Sequence, residues 1–310
     1  MPGIEPRCYP FAAMGTRCEL RLYADDERSA AGAASAAIAE VRRIERAYSR
    51  YRSDSVVSAI NEAGKQGGAI SLSREAADLI DLAFDAYRLS DGLFDVTSGA
   101  LREVWRDDIA EPPSSRQIAP VLARIGLHKV AWERPRLSFG RRGMQVDLGG
   151  IGKEYAADRA ANACRRRGIS AGLVDLGGDI VAIGPHPDGT SWRIGVRDPR
   201  DPESALATLF LARGGVATSG DYERFWEFDG RRYGHIFDPR TGWPVRGLSS
   251  VTVAASTCLR AGLYSTIAML KGEDGAQWLE EVAAPHVHVD AASRVGGSLL
   301  SPSGDFRSAA

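Results

Sequence analysis

The chain reads as an α+β protein built on antiparallel sheet. Two amphipathic helical patterns, Glu27–Tyr51 and Ser73–Leu89, come early. From Met144 onward short alternating runs punctuated by Gly-Gly or Asp-Gly dominate. Helices gathered early and strands gathered late argue against a regular βαβ wind. No fixed-period repeat is present, which excludes solenoids and propellers.

Composition narrows the function classes. The chain has 310 residues, with 39 basic against 40 acidic side chains and a net charge of −1. Both signs are interspersed, so the one-sided basic field that nucleic-acid binding needs is missing. An apolar content of 44% and a charged content of 25% describe an ordinary globular protein. At this length the core is ample, and one unit over 1–310 is expected, with a helix-rich lobe at about 27–130 and a strand-rich remainder. There are 34 glycines, and only four of the basic residues (Lys65, Lys129, Lys153, Lys271) are lysine. No run of 18 apolar residues marks a membrane span. Residues 1–8 lack the apolar run of a secretory signal or a lipid-attachment cysteine. The four cysteines show no C-x-x-C spacing and read as free buried thiols, which points to the cytoplasm.

The elements follow in order. Gly15–Tyr23 alternates and carries β-formers, so it is a strand. Glu27–Tyr51 places Ile38, Val41, Ile44, Ala47, Tyr48 and Tyr51 at three- and four-residue steps, an amphipathic helix. The next helix runs to Leu89 with Ser71 or Ser73 as its cap, and Ser90-Asp-Gly92 ends it. The Pro- and Ser-rich stretch Asp107–Pro120 is an exposed connection. Strands are expected at Met144–Leu148, Gly172–Asp175, Ile180–Gly184, Ser191–Arg197 and Ala205–Leu211, with a helix over Lys153–Arg167. Asp229-Gly230 between apolar runs is a strong hairpin signal. A two-residue turn pairs positions that sum to 459, which sets His235 opposite Arg224 and Asp238 opposite Asp221. Facing carboxylates need a cation, a hydrogen-bond network or a shifted pKa; alternatively the strand breaks at Pro239 and they never meet. Ser249–Ala255 is a last strand, followed by a helix in which Gly262 and Thr266 share a face. A glycine inside a helix costs about 1 kcal/mol and needs a reason, such as close packing.

The chemistry concentrates in glycine turns. In Val146-Asp-Leu-Gly-Gly-Ile-Gly-Lys-Glu-Tyr-Ala-Ala-Asp158 a strand enters a glycine turn and then a helix, whose N-terminus offers free N–H groups to an anion. It is neither a P-loop nor a dinucleotide fingerprint, since Asp147, Glu154 and Tyr155 occupy required positions. The bland alternative is a left-handed turn joining two elements. Asp175-Leu-Gly-Gly178 echoes Asp147-Leu-Gly-Gly150, and two such turns can line one cleft or merely bend a sheet.

Taken in order, these segments resemble the ApbE family, the FAD:protein FMN transferases. The resemblance rests on Met14-Gly-Thr16, Ser49-x-Tyr51, Ser55 to Asn61, Gly92-Leu-Phe-Asp-Val-Thr97, Asp147 to Lys153 with Tyr155 and Asp158, Gly177-Gly-Asp179, Thr218 to Glu223, and His235-Ile-Phe-Asp-Pro239 with Thr241-Gly242. It implies a T-fold-like α+β protein with two lobes around a flavin cleft. The implied activity splits FAD with Mg²⁺, attaches FMN through a phosphoester to a Thr or Ser of a target flavoprotein, and releases AMP. Phosphoryl transfer of this kind is mainly positioning and charge neutralisation. By the same resemblance Met14, Tyr51, Asn61 and Asp95 line the pocket. Asp147, Gly149, Gly150, Lys153, Asp158, Gly178, Ser219, Gly220 and Asp221 surround FAD. His235 is the acid/base, with Asp238 in the same run, and the Gly152 carbonyl and Thr266 hold the metal.

Two positions depart from the family pattern. Gly262 stands where an acidic metal ligand is usual, which predicts weaker Mg²⁺ binding unless another carboxylate, such as Asp147 or Asp221, compensates. Restoring Asp there is expected to strengthen the metal requirement. Glu154 stands where Gly is common and either crowds the loop or replaces the missing carboxylate. The competing readings are a flavin-binding protein without activity and an FAD pyrophosphatase without an acceptor.

Overall fold

The computed structural model describes residues 5–201 and 204–300. Met14 and Gly15 (φ 56° and 71°) join β1 (Arg7–Ala13) to β2 (Thr16–Leu22). Positive φ at both turn residues matches the right-handed twist of a tight hairpin. Pro10 lies on β1, an edge strand, where a missing N–H is tolerated. That Pro is why the sequence did not read as a strand there.

α1 (Glu27–Tyr48) starts on Asp26, whose carboxylate accepts from the Ser29 N–H, and buries Ala30, Ala33, Ala34, Ala37, Val41 and Ile44. α2 (Val56–Gln66), unforeseen, is capped by Ser55 and buries Val57, Ile60 and Gly64. β3 (Ala69–Ser71) leads to α3 (Arg74–Leu89), which Ser73 caps. A 3₁₀ segment covers Val96–Glu103. The expected connection contains α4 (Ser115–Leu122), where the Gln117 side chain accepts from the Ser114 N–H at 2.8 Å. β4 (Val130–Glu133) and β5 (Arg136–Phe139) complete a small sheet in the order β3-β5-β4.

Met144–Leu148 is not a strand. The Asn61 amide takes the place of a neighbouring strand: it accepts from the Val146 N–H at 2.6 Å and donates to the Val146 carbonyl at 3.1 Å. The Asp147 N–H reaches the Val96 carbonyl at 2.8 Å. The segment is extended but pinned by a side chain.

α5 (Gly152–Arg166), β6 (Gly172–Leu176), β7 (Ile180–Gly184), β8 (Trp192–Arg197), β9 (Ala205–Leu211) and β10 (Gly214–Gly220) follow. β11 (Phe225–Phe228) and β12 (Arg231–Gly234) form the expected hairpin, with Phe228 opposite Arg231 and Phe225 opposite Gly234. β13 (Leu248–Ala255), α6 (Cys258–Lys271), α7 (Gly275–Glu281), β14 (His286–Asp290) and β15 (Val295–Gly296) complete the chain.

The main sheet has eight strands in the order β1-β2-β6-β7-β10-β13-β14-β15, antiparallel throughout. Alternation sends Val174, Leu176, Val181, Ala217, Val251 and Val253 to a core shared with α1, α5 and α6. Leu173, Ile180, Ala182, Val216 and Ala254 point the other way and pack against Trp192, Ile194, Leu209 and Leu211 of the β8–β9 hairpin. A third cluster, centred on Trp105, gathers Leu101, Val121 and Ile125 with Trp226, Tyr233, Phe237 and Trp243. α1 packs along α5, so the early helices do not stand apart from the strand-rich part. Cys18, Cys164 and Cys258 are buried, but Cys8 is exposed on the edge strand; all four are free thiols. Among the described residues no helix is long and apolar enough to cross a membrane.

Candidate active site

Antiparallel register gathers the site at one end of the main sheet. Cys18 pairs with Leu176 and Val216 with Ile180, so the Met14-Gly15 turn, the Gly177-Gly178 turn and Ser219–Asp221 all lie at that end. Gly177 and Gly178 take φ 72° and 95°, the left-handed pair that closes β6 on β7. The Asp175 carboxylate accepts from the Gly178 N–H at 2.8 Å. Gly149 and Gly150, in contrast, are not left-handed. Their turn is shaped by Asp147, which accepts from the Gly149 N–H at 2.9 Å. The two echoing motifs thus reach different backbone geometries.

The first turn delivers the N-terminus of α5. Its N-cap, Ile151, supplies no side-chain acceptor, so the first N–H groups of the helix remain without a side-chain cap. A Cβ placed on Gly152 meets nothing within 4 Å, and the residue has no positive φ. Neither packing nor backbone conformation demands glycine there, so the small residue leaves space beside the helix N-terminus, where the Gly152 N–H itself donates to the Leu148 carbonyl at 2.9 Å.

Lys153 bridges the two turns. Its Nζ lies 2.7 Å from Asp179 Oδ2, and the Asp179 side chain is only 3% exposed. Burial pushes the Asp179 carboxyl above its ordinary range, and Lys153 opposes that shift. On the other side Asp147 pairs with Arg50 at 2.8 Å and Arg102 at 3.5 Å. Arg50 also donates to the Gly99 carbonyl at 3.0 Å, locking the extended segment to the 3₁₀ turn. Neither arginine was singled out from the sequence, although Arg50 is the middle residue of Ser49-x-Tyr51.

His235 follows β12. Its Nδ1 lies 3.1 Å from the Arg224 carbonyl. A carbonyl only accepts, so Nδ1 carries the hydrogen and Nε2 keeps a lone pair. Burial lowers the His235 pKa, with Arg224 and Arg102 adding to the effect and Glu223 opposing it. The ring is therefore neutral near pH 7. Glu223 pairs with Arg197 at 3.2 Å. The opposition of Asp238 and Asp221 does not occur. β12 has ended at Gly234, and Asp238 closes its own turn by accepting from the Arg240 N–H at 2.8 Å and pairing with the Arg240 side chain. Asp221 instead sits against Gly234, with its carboxyl raised by burial.

α6 meets the end of β10 through hydroxyls. Ser219 Oγ lies 2.9 Å from Ser265 Oγ and 3.0 Å from Thr266 Oγ1. One turn earlier the space above Gly262 is taken by the Glu154 side chain. A Cβ there would stand 2.5 Å from Cγ and 2.7 Å from Oε1 of Glu154. Close packing accompanies this glycine, and an Asp at 262 would have to displace the Glu154 side chain to add a ligand. Glu154 is 7% exposed, and burial together with the charge of Asp179 raises its carboxyl pKa. Asp147 and Asp221, the carboxylates expected to compensate, are the arginine-paired residue and the one beside Gly234.

Several expected pocket residues make hydrogen bonds within the fold. Asp158 accepts from the Cys258 and Leu259 N–H groups, both at 3.0 Å, and so caps α6. Asp95 is buried and accepts from the Thr97 and Leu127 N–H groups. Asn61 holds Val146. Met14 shapes its hairpin, its N–H donating to Glu45 at 2.5 Å. Tyr51 is 79% exposed beside the Arg50 anchor, with its ring available to a ligand. Ser265 is a contributor that the sequence did not reveal.

Comparison with known proteins identifies the family. Residues 14–289 match the ApbE family. The chain is 31% identical over 274 residues to an FAD:protein FMN transferase of Klebsiella pneumoniae, covering 85% of this chain and 78% of the relative. It is 32% identical over 239 residues to the Escherichia coli protein of that name, covering 74% and 68%. The ApbE protein of Thermotoga maritima superposes with a TM-score of 0.87 at 31% identity over 95% of this chain and 97% of that one. Flavinyl transferase ApbE of Pseudomonas stutzeri gives 0.81 at 28% over 94% and 93%. The fold is thus shared with these proteins, and the chain belongs to the ApbE family.

Proposed function

We propose that this chain transfers FMN from FAD to a hydroxyl of an acceptor protein, with AMP as the leaving group and a divalent cation, Mg²⁺, assisting. The transferase class follows from family membership. The observation that carries the reading is the open N-terminus of α5 beside Gly152, flanked by Lys153 and the Gly177-Gly178 turn. This is a place for a diphosphate, with N–H groups and an ammonium to meet its charge.

The chemistry then assigns roles. The acceptor oxygen forms a bond to the flavin-side phosphorus, and the bond from that phosphorus to the bridging oxygen breaks, so AMP leaves with the bridging oxygen. The acceptor proton passes to Nε2 of His235, which is kept neutral by burial and oriented by the Arg224 carbonyl. Arg102 is held by Asp147 near that ring and adds positive charge where the phosphoryl oxygens gather. Tyr51 offers an exposed ring face for the isoalloxazine or adenine. The residues suit a hard cation: the hydroxyls of Ser265 and Thr266, the Gly152 carbonyl and a buried carboxylate are oxygen donors. The cation would neutralise charge on the diphosphate. Four free cysteines suit a reducing compartment, and we place the reaction in the cytoplasm with a flavoprotein acceptor.

Incubation with FAD, Mg²⁺ and a candidate acceptor should give acceptor-bound flavin fluorescence that survives denaturation, together with AMP. AMP without a labelled acceptor would select FAD hydrolysis. FAD binding with neither product would leave only a flavin-binding protein.

A further inference from the structure

Glu154 is a buried acid on the first turn of α5. Its side chain lies against helix α6 in the hollow created by Gly262, and one oxygen, Oε2, has no hydrogen-bond partner among the described residues. A buried carboxylate oxygen without a partner is costly and calls for an occupant. Lys153, adjacent in sequence, donates to Asp179 instead. Hydroxyls gather on α6 close to Gly262. Ser265 Oγ donates to the Gly262 carbonyl at 3.0 Å and also touches Ser219, which touches Thr266. Glu154 and Gly262 are sterically linked, because a Cβ at 262 would lie 2.8 Å from Glu154 Cδ.

We propose that the Glu154 carboxylate is a direct ligand of the divalent cation at this site, reaching from α5 into space that a side chain on α6 would otherwise fill. The inference rests on the metal dependence proposed above. No group of three His, Cys, Asp or Glu among the described residues is placed to cage an ion. The protein would then offer this carboxylate and neutral oxygens, leaving the remaining positions to diphosphate oxygens and water. That division matches the way Mg²⁺ is held with nucleotides. Metal binding should consequently be weak alone and strengthened by FAD.

The test measures Mn²⁺ binding by electron paramagnetic resonance and calorimetry, with and without FAD, no acceptor being present. Glu154→Gln keeps the shape and removes the charge, and it should weaken Mn²⁺ at least tenfold while the protein melts no lower. The paired exchange Glu154→Gly with Gly262→Asp moves the carboxylate across the hollow and should bind Mn²⁺ within a few-fold of the parent. Glu154→Gln binding Mn²⁺ as tightly as the parent overturns the proposal, since the carboxyl would then be only a neutral filler. A folded exchange variant that binds no better than Glu154→Gln also counts against it, because the hollow would not be the ion's place. Mn²⁺ readouts stand apart from transfer: intact Glu154-dependent binding without flavin transfer would refute the function and leave this assignment standing.

Discussion

Asp158 offers the sharpest separation between a structural and a ligand-binding role. Replacing it by Ala removes the acceptor of two N–H groups at the start of α6, each held at 3.0 Å. Thr257 still accepts from the Arg260 N–H at 3.2 Å, so the helix keeps part of its cap. Loss of one cap residue costs about 1 kcal/mol, and hydrogen bonds to a charged group are worth about 1.5–3 kcal/mol each. Burial raises the Asp158 pKa, which shows that desolvation consumes part of that gain. The net expectation is about 2 kcal/mol, equivalent to a fall in Tm on the order of 4 °C for a chain of this size. Thermal unfolding followed by circular dichroism checks the value, and hydrogen exchange should rise at the first turn of α6. Asp158→Asn retains one acceptor oxygen and should recover about half the loss. FAD affinity should change little in both variants under conditions where they are folded. An unchanged Tm with a tenfold weaker FAD Kd would refute the capping role and put the carboxylate in the flavin site.

Three further outcomes follow from the same geometry. Asn61→Leu removes both bonds to Val146 and should cost about 2 kcal/mol in urea unfolding, with faster exchange of the Val146 amide; unaltered exchange would mean the segment holds itself. Lys153→Met strands the buried Asp179 and should cost about 2 kcal/mol at pH 7, discounted because the ammonium is itself partly in solvent. Protonating Asp179 relieves that deficit, so it should shrink towards pH 5, and a pH-independent deficit would argue against the pair. His286 is fully buried, donates from Nδ1 to the Ala284 carbonyl and has its pKa lowered chiefly by burial. Its contribution is present above the unfolded value of about 6.5 and is lost as pH falls through the folded one. Wild type should therefore lose stability relative to His286→Gln between pH 7 and pH 5, and parallel stability curves would exclude it.

Some local signals were legible where partners lie close in sequence. The Asp229-Gly230 turn set the register of β11 on β12, and Ser73 capped α3 as one of the two serines expected. β7 and β9 fall at their expected bounds. What was not legible depends on partners far along the chain. Asn61 grips Val146 across 85 residues, which turned an expected strand into a pinned extended segment. Asp158 caps a helix 100 residues away. α2 went unread because Gly64, which packs against the Met144 carbonyl, interrupts its apolar face. The glycine at 262 looked like a lost metal ligand in sequence, and in space it is half of a steric pair with Glu154.

The site is assembled from two packing units that do not share a core. The turn bearing Lys153 rests on the main cluster through Leu148, Ile151 and Ala156. The hairpin leading to His235 is anchored through Trp226 and Tyr233 to the separate cluster around Trp105, whose indole donates to the Gly242 carbonyl at 2.8 Å. Cooperative units of this kind open independently. The smaller unit, stacked rings over a short 3₁₀ turn, can melt or be clipped by a protease while the sheet stays intact. On the roles proposed above, such a form would keep the Lys153 turn and lose His235, so it would bind FAD and transfer nothing.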